Sequence, residues 1–433
     1  MFVVILWISL SASAYDFEVD GIYYDVESLS DRTCSVTYKD RVKIDGKTRF
    51  YNDFASETLV IPSTVEYAGQ TLKVIGIKFA AYEDNTCIKK LIVPNSIQYL
   101  FADCFNCCTS LEEVIIEEGA EILNFRPDHG AESYFNDCPI NKLYIGRQIA
   151  INKYSPFSDL PLLTDVKLTN TTTSLIQGMF EGCVSLNHIV IPSSCSVIGE
   201  SAFWGCKELK NIEFLGTLSE VGKSAFSGCT SLTGIKLGPL STLGAYAFCD
   251  CENLESIELD NGITYLSKGV LSGCKSLKTF NIPTTVSGIE VEAMKGCEAI
   301  SEINIPSSVK YIRFRAFEEC NSLKKLIFES CSEQIDLDGC QMYESISIFG
   351  SPKNTILEYL KIDRPISYTK GCLYFCNLKT LYLGSLVGDL NSDLRESPLN
   401  EIYCRAVNPP NISISLTNNQ FKFRKYMIDE IRA

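Results

Sequence analysis

The chain has 433 residues, more than a single globular core accommodates, yet no proline-rich, glycine/serine-rich or single-charge linker divides it. Its net charge of −14 and pI near 4.8 exclude a general nucleic-acid or anionic-membrane surface, since both need basic stripes that displace counterions. A repeat array reconciles the length with the missing linkers, because each unit packs only on its neighbours and the core grows lengthwise.

Residues 2–10 form an apolar run, followed by Ala12-Ser13-Ala14, which predicts a secretory signal over residues 1–14 and export of the mature chain to the extracellular space or cell surface. The run is too short to cross a bilayer, and no later stretch reaches roughly 18 continuous apolar residues, so no transmembrane segment is expected. Residues 15–75 read as a β-rich N-terminal cap and first repeat. Val19-Asp20-Gly21-Ile22-Tyr23-Tyr24-Asp25-Val26 and Cys34-Ser35-Val36-Thr37-Tyr38 have the aromatic and β-branched composition of short strands. A repeat stack needs such an atypical unit over the exposed end of its core. Leu59-Val60-Ile61-Pro62 then supplies the first strand of the repeat type.

Residues 76–404 read as the repeat solenoid, and its landmarks are Cys183, Cys206, Cys229, Cys251, Cys274, Cys297 and Cys320, spaced by 23, 23, 22, 23, 23 and 23 residues. Three, six and eight positions after each landmark the chain is apolar, as in Leu186/Ile189/Ile191 and Leu209/Ile212/Phe214. The last two positions have the period of a strand with one buried face. Proline ends that strand in Ile191-Pro192, Ile282-Pro283 and Ile305-Pro306. A second extended segment follows, as in Val197-Ile198-Gly199, and a pair such as Ala202-Phe203 re-enters the core before the next landmark. Insertions at 124–138 and 350–370 map to loops, and residues 405–433 read as a C-terminal cap and tail.

The pattern Ala-Phe-x-Gly-Cys-x-Ser-Leu-x-x-Ile-x-Ile-Pro, assembled from positions 202–212 and 303–312, resembles the BspA-like leucine-rich repeat of secreted and surface proteins. Val19-Asp20-Gly21-Ile22-Tyr23-Tyr24 and Ile402-Tyr403-Cys404-Arg405 are similar to that family's first and last units. The resemblance implies a right-handed leucine-rich superhelix of short parallel strands, turns and short helical segments. It also implies adhesion or protein binding without catalysis.

Twenty cysteines require an explanation, and the repeat position favours a column of buried thiols over a chain of disulfides. Cys104-x-x-Cys107 has no matching second pair, and Asp336-x-Asp338-Gly339 lacks the remaining ligands of a calcium loop and reads as a turn. With only His129 and His188, and no phosphate-binding or nucleophile-elbow motif, no catalytic residue, metal site or cofactor is expected. The strand face remains. The outward positions, five and seven residues after each landmark, carry His188, Asn211, Glu213, Lys236, Ser256, Glu258, Thr279, Asn281, Glu302, Asn304 and Lys325, with no aromatic patch evident among them. The expected partner is a host or cell-surface protein bound along this face. The alternative is a spacer that has no specific ligand.

Overall fold

The computed structural model describes residues 14–44, 47–127, 133–151, 155–337, 348, 356–368, 378–385, 387, 399, 401–405 and 422–425. The expected signal at 1–14 lies outside them apart from Ala14, as do His129, Asp338, Gly339, Cys340, Cys372, Cys376 and most of 405–433. The chain forms two compact units, residues 1–172 and 173–433, and the division falls inside the run of repeats, where composition shows no linker.

In the first unit, Phe17–Val19, Ile22–Ser28 and Thr33–Thr37 pair antiparallel. Pairing then turns parallel, through Gln70–Ile77, Tyr99–Phe101, Leu123–Arg126 and Ile149–Ile151. A second parallel sheet runs through Thr58–Val60, Lys90–Val93, Glu113–Ile116, Lys142–Ile145 and Asp165–Leu168. Successive coils therefore give one strand to each sheet.

The second unit repeats the plan. One set of strands comprises the pairs His188–Ile191 with Asn211–Phe214 and Gly234–Leu237 with Ser256–Leu259. It continues in a sheet of Glu302–Ile305, Lys325–Phe328, Tyr359–Ile362, Thr380–Leu383, Glu401–Cys404 and Lys422–Lys425. The other set contains Ser174–Leu175, Val197–Ile198, Glu220–Val221 and Thr242–Leu243. It resumes from Tyr265–Leu266 to Ile366–Tyr368. All these pairings are parallel.

The coil around Cys206 shows why this sequence closes. Gly199 ends the second strand, and the need for glycine there is close approach, since a Cβ would stand 2.6 Å from Leu175 O of the preceding coil. Positive φ occurs further on, at Ser201 (54°) and Gly205 (70°), and recurs at the matching Ser224 (53°) and Gly228 (74°). Between these points the backbone makes one β-turn after another: Ala202 N donates to Gly199 O, Trp204 N to Ser201 O and Cys206 N to Phe203 O. Two left-handed residues four positions apart in each coil stop the turns from propagating as a helix. The short helical segments expected here are turns, and no helix occurs among the described residues. The alternate amides point along the stack, with Phe203 N donating to Ala225 O and Gly205 N to Ser227 O, both at 2.8 Å.

Ala202, Phe203, Cys206 and Leu209 are fully buried, and Phe180, Phe203, Phe226 and Phe248 stack at centroid distances of 5.6, 5.3 and 5.2 Å. From Cys206 to Cys320 each landmark thiol donates its S–H to a carbonyl of the preceding coil. The distances are 3.1 Å from Cys206 to Phe180 O, 3.2 Å from Cys229 to Phe203 O and 3.1 Å from Cys251 to Phe226 O. Cys108 and Cys138 do the same in the first unit, to Tyr82 O at 3.2 Å and Phe105 O at 3.0 Å. No disulfide joins the described cysteines.

One buried arginine in each unit joins non-adjacent coils. Arg147 donates to Pro94 O, Asn95 O and Ile97 O at 2.8–3.0 Å, and burial lowers its pKa to about 10, so it stays charged at neutral pH. Arg364 donates to Ser307 O and Glu333 O at 3.1–3.2 Å. Each follows the strand that closes an over-long coil: Glu113 pairs with Lys142, 29 residues on, and Lys325 with Tyr359, 34 residues on.

Two outcomes follow from this packing. Arg147→Met should cost about 3 kcal/mol by stranding carbonyls that a charged donor had satisfied, and Arg364→Met should cost a similar amount. Hydrogen exchange should rise in the first unit alone for the former and in the second alone for the latter. A global or negligible change in exchange would refute the stitching role. For the thiols, burial raises the pKa at Cys206, Cys229, Cys274 and Cys297, and to about 12 at Cys320. A raised folded-state pKa means that their stabilisation is intact below the ordinary thiol value of about 8.5 and is lost as pH climbs above it. At neutral pH a soluble alkylating reagent should mark the exposed Cys87 in the native chain, and the buried ladder only after denaturant is added. Equal rates in a mass-spectrometric time course would contradict the buried column.

Candidate binding surface

Because strand side chains alternate, the residues between the buried positions face outward. In the second unit His188, Asn211, Glu213, Lys236, Ser256, Glu258, Glu302 and Asn304 are exposed on their strands, and Lys325 is half-exposed. The register sets His188 beside Asn211, Lys236 beside Glu258 and Glu302 beside Lys325. Thr279 makes only an isolated bridge to Ser256, and Asn281 is exposed but outside any strand. The expected continuous face is thus three ladders, separated between Phe214 and Gly234 and again between Leu259 and Glu302.

Two pairs of outward charges meet laterally. Lys236 Nζ lies 3.0 Å from Glu258 Oε2, and Lys325 Nζ lies 3.0 Å from Glu302 Oε1. The side chains of Lys236 and Glu258 are 74% and 67% exposed, so their pair orients charge at the surface and does little to hold the fold.

Beyond Lys325 the outward positions become aromatic, a feature missed from sequence. Tyr359 and Tyr382 approach at 5.1 Å between centroids, and Tyr382 and Tyr403 stack at 4.4 Å and 10°. Lys325 Nζ sits 5.6 Å from the Tyr359 centroid, and Tyr403 Oη donates to Glu401 Oε2 at 2.9 Å. These rings border a groove of about 270 Å³, together with Lys361, Asp363 and Arg405. The signal was available: Leu378-x-x-Leu381-x-Leu383 has the apolar offsets of every earlier coil, with Tyr382 between. The landmark cysteine is absent from these coils, so counting from it stopped too early.

The first unit has its own outward columns. Val60, Ile92, Ile115 and Tyr144 stand side by side in register, beside Thr58, Lys90, Glu113 and Lys142. Lys90 Nζ lies 3.0 Å from Glu113 Oε2, and Tyr144 Oη donates to Glu118 Oε1 at 2.7 Å. Of the other singled-out residues, Cys104 is buried and Cys107 half-buried. Among the described residues no group of three or more His, Cys, Asp or Glu is placed to hold a metal, and no helix is long and apolar enough to cross a membrane.

The family model "BspA type Leucine rich repeat region" matches residues 28–126, 130–253 and 241–360, in six copies. Among solved structures, the chain is similar to a leucine-rich repeat protein from Bacteroides ovatus at 20% identity, covering 80% of this chain and 100% of that one, with a TM-score of 0.45. It is also similar to a leucine rich cell surface protein from Faecalibacterium prausnitzii, at 19% identity, 73% and 95% coverage and a TM-score of 0.34. The pneumococcal vaccine antigen PcpA matches at 13% identity, 96% and 100% coverage and a TM-score of 0.45. No curated protein matches the chain.

Proposed function

The chain belongs to the BspA-type leucine-rich repeat family, and from that premise we propose that it is a secreted or surface-displayed adhesion protein. It binds a host or neighbouring-cell protein along the outward strand face of its second unit, without catalysis, cofactor or metal. The observation that carries this reading is the outward ladder itself: exposed polar side chains are held in fixed register on coils whose inner face is closed by Phe203, Cys206, Leu209 and their equivalents. Solenoids use such extended faces for binding. The lateral pairs Lys236–Glu258 and Glu302–Lys325 also suit an interface, because each charge meets an incoming partner with its counter-charge already in place. The apolar run and small-residue site in residues 1–14 support export. The domain reading stands with it: a cap and first repeat over 15–75, a repeat body over 76–404, and a closing segment over 405–433.

The test exchanges the charges and keeps the pair. In the doubly swapped chain Lys236→Glu/Glu258→Lys, melting should be unchanged, because the ion pair re-forms with reversed polarity. Capture of a partner from extracellular-matrix, serum and epithelial-surface proteins by residues 15–433 should weaken about tenfold and become less salt-sensitive. Undiminished capture by the swapped chain would remove this strand face as the binding site, and no saturable partner at micromolar protein would replace the adhesion reading with that of a spacer.

A further inference from the structure

The groove beside Tyr359, Tyr382 and Tyr403 has a chemistry distinct from the rest of the outward face. Two cations, Lys361 and Arg405, and one carboxylate, Asp363, border it. Gly384 also lines it, and an added Cβ there would collide with Asp363 Oδ1, so the carboxylate occupies the space a side chain would otherwise take.

Four features restrict what fits. At about 270 Å³ the space lies at the lower end of small-ligand pockets and accepts one ring-sized group, not a folded partner. Tyr382 and Tyr403 stack on one another, so they offer ring edges, the positive end of the aromatic quadrupole, which favour an oxygen-rich neighbour. The polar lining supplies both donors (Lys361, Arg405) and an acceptor (Asp363). Hydroxyl groups, which donate and accept at once, satisfy both kinds together. Finally, the lining holds a pair of cations and one carboxylate in a chain whose net charge is −14, with the Glu401 carboxylate held at its rim by Tyr403 Oη. A polyanion is repelled by the whole molecule, whereas a ligand with one carboxylate is matched by the groove. An acidic peptide offers carboxylates to the cations but only its spaced main-chain amides to Asp363, and it needs more length than the groove gives.

We propose that this groove binds a single carboxylate-bearing sugar, a hexuronic or sialic acid at the end of a glycan. Its carboxylate is taken by Arg405 and Lys361, its hydroxyls donate to Asp363, and its ring edge rests on Tyr382 and Tyr403. An arginine fork suits a carboxylate in two parallel hydrogen bonds. The site is separate from Lys236 and Glu258, so its test and that of the adhesion reading succeed or fail independently.

Calorimetric titration of residues 15–433 with sialyllactose, glucuronate, lactose and a short glutamate peptide tests the assignment. At least one of the two acidic sugars should bind in the millimolar to high-micromolar range, with lactose and the peptide weaker by about tenfold or more. Arg405→Met and Lys361→Met, both outward-facing changes checked by circular dichroism, should each weaken the acidic sugar about tenfold and leave the lactose signal unaltered. Equal binding of lactose, tighter binding of the peptide, wild-type affinity in both variants, or no heat from either acidic sugar at about ten millimolar would each overturn the proposal.

Discussion

Each coil directs its backbone donors and acceptors along the stack, and only a neighbouring coil of matched length can meet them. Phe203 shows how tightly this is met. Its amide donates to Ala225 O of the next coil, while its carbonyl accepts both the Cys206 amide and the Cys229 thiol. A buried carbonyl has two lone pairs, and the second would otherwise face a close-packed core. Alanine at the landmark would leave it bare. Serine would bring a more strongly hydrated hydroxyl on a shorter bond. Cysteine is small, readily buried and able to donate, which accounts for its return at Cys206, Cys229, Cys251, Cys274, Cys297 and Cys320 without any disulfide. The period is the distance at which this exchange closes.

This constraint is also why so much of the fold was legible in the sequence. A residue type repeated for one physical reason marks the period directly, and the apolar offsets that follow it mark the first strand of each coil. What could not be read depends on contacts between coils. Gly199 reads in sequence as a bend residue, but its role is to let Leu175 O approach. Ser201 carries no sign of the left-handed φ it adopts, because the neighbouring coil's hydrogen bonds impose it. Arg147 and Arg364 stand as single arginines after a strand, and nothing local shows that their partners lie between 31 and 57 residues earlier. The outward residues from His188 to Glu258 were legible from alternation. Thr279 and Asn281 were assigned by the same rule, although the strand there shrinks to a bridge.

The ion pairs add a second, weaker repetition. Lys223–Glu200, Lys275–Glu252, Lys278–Glu255 and Lys325–Glu302 all join residues 23 apart, the spacing of adjacent coils. These side chains are largely exposed, so the pairs follow the register and do not set it. They do shape the surface, since each sets a lysine beside a carboxylate of the preceding coil.

Over-long coils interrupt the backbone exchange on which the stack rests. The strands that close two of them, Lys142–Ile145 and Tyr359–Ile362, are each followed by a buried arginine reaching back across the interruption, whereas the coil from Thr58 to Lys90, 32 residues, closes on a strand followed by Pro94. The same two strands, Lys142–Ile145 and Tyr359–Ile362, bring tyrosines to the outward face, Tyr144 in one unit and Tyr359 in the other. In the second unit the following coils add Tyr382 and Tyr403 to make the groove. Regular coils of the second unit present mainly polar or charged side chains, such as Asn211, Glu213, Ser256 and Glu258, because their outward positions are free of packing demands. An aromatic ring there exposes apolar surface at a cost that the fold does not require. The rings gathered at Tyr359, Tyr382 and Tyr403 are therefore better explained by recognition than by stability.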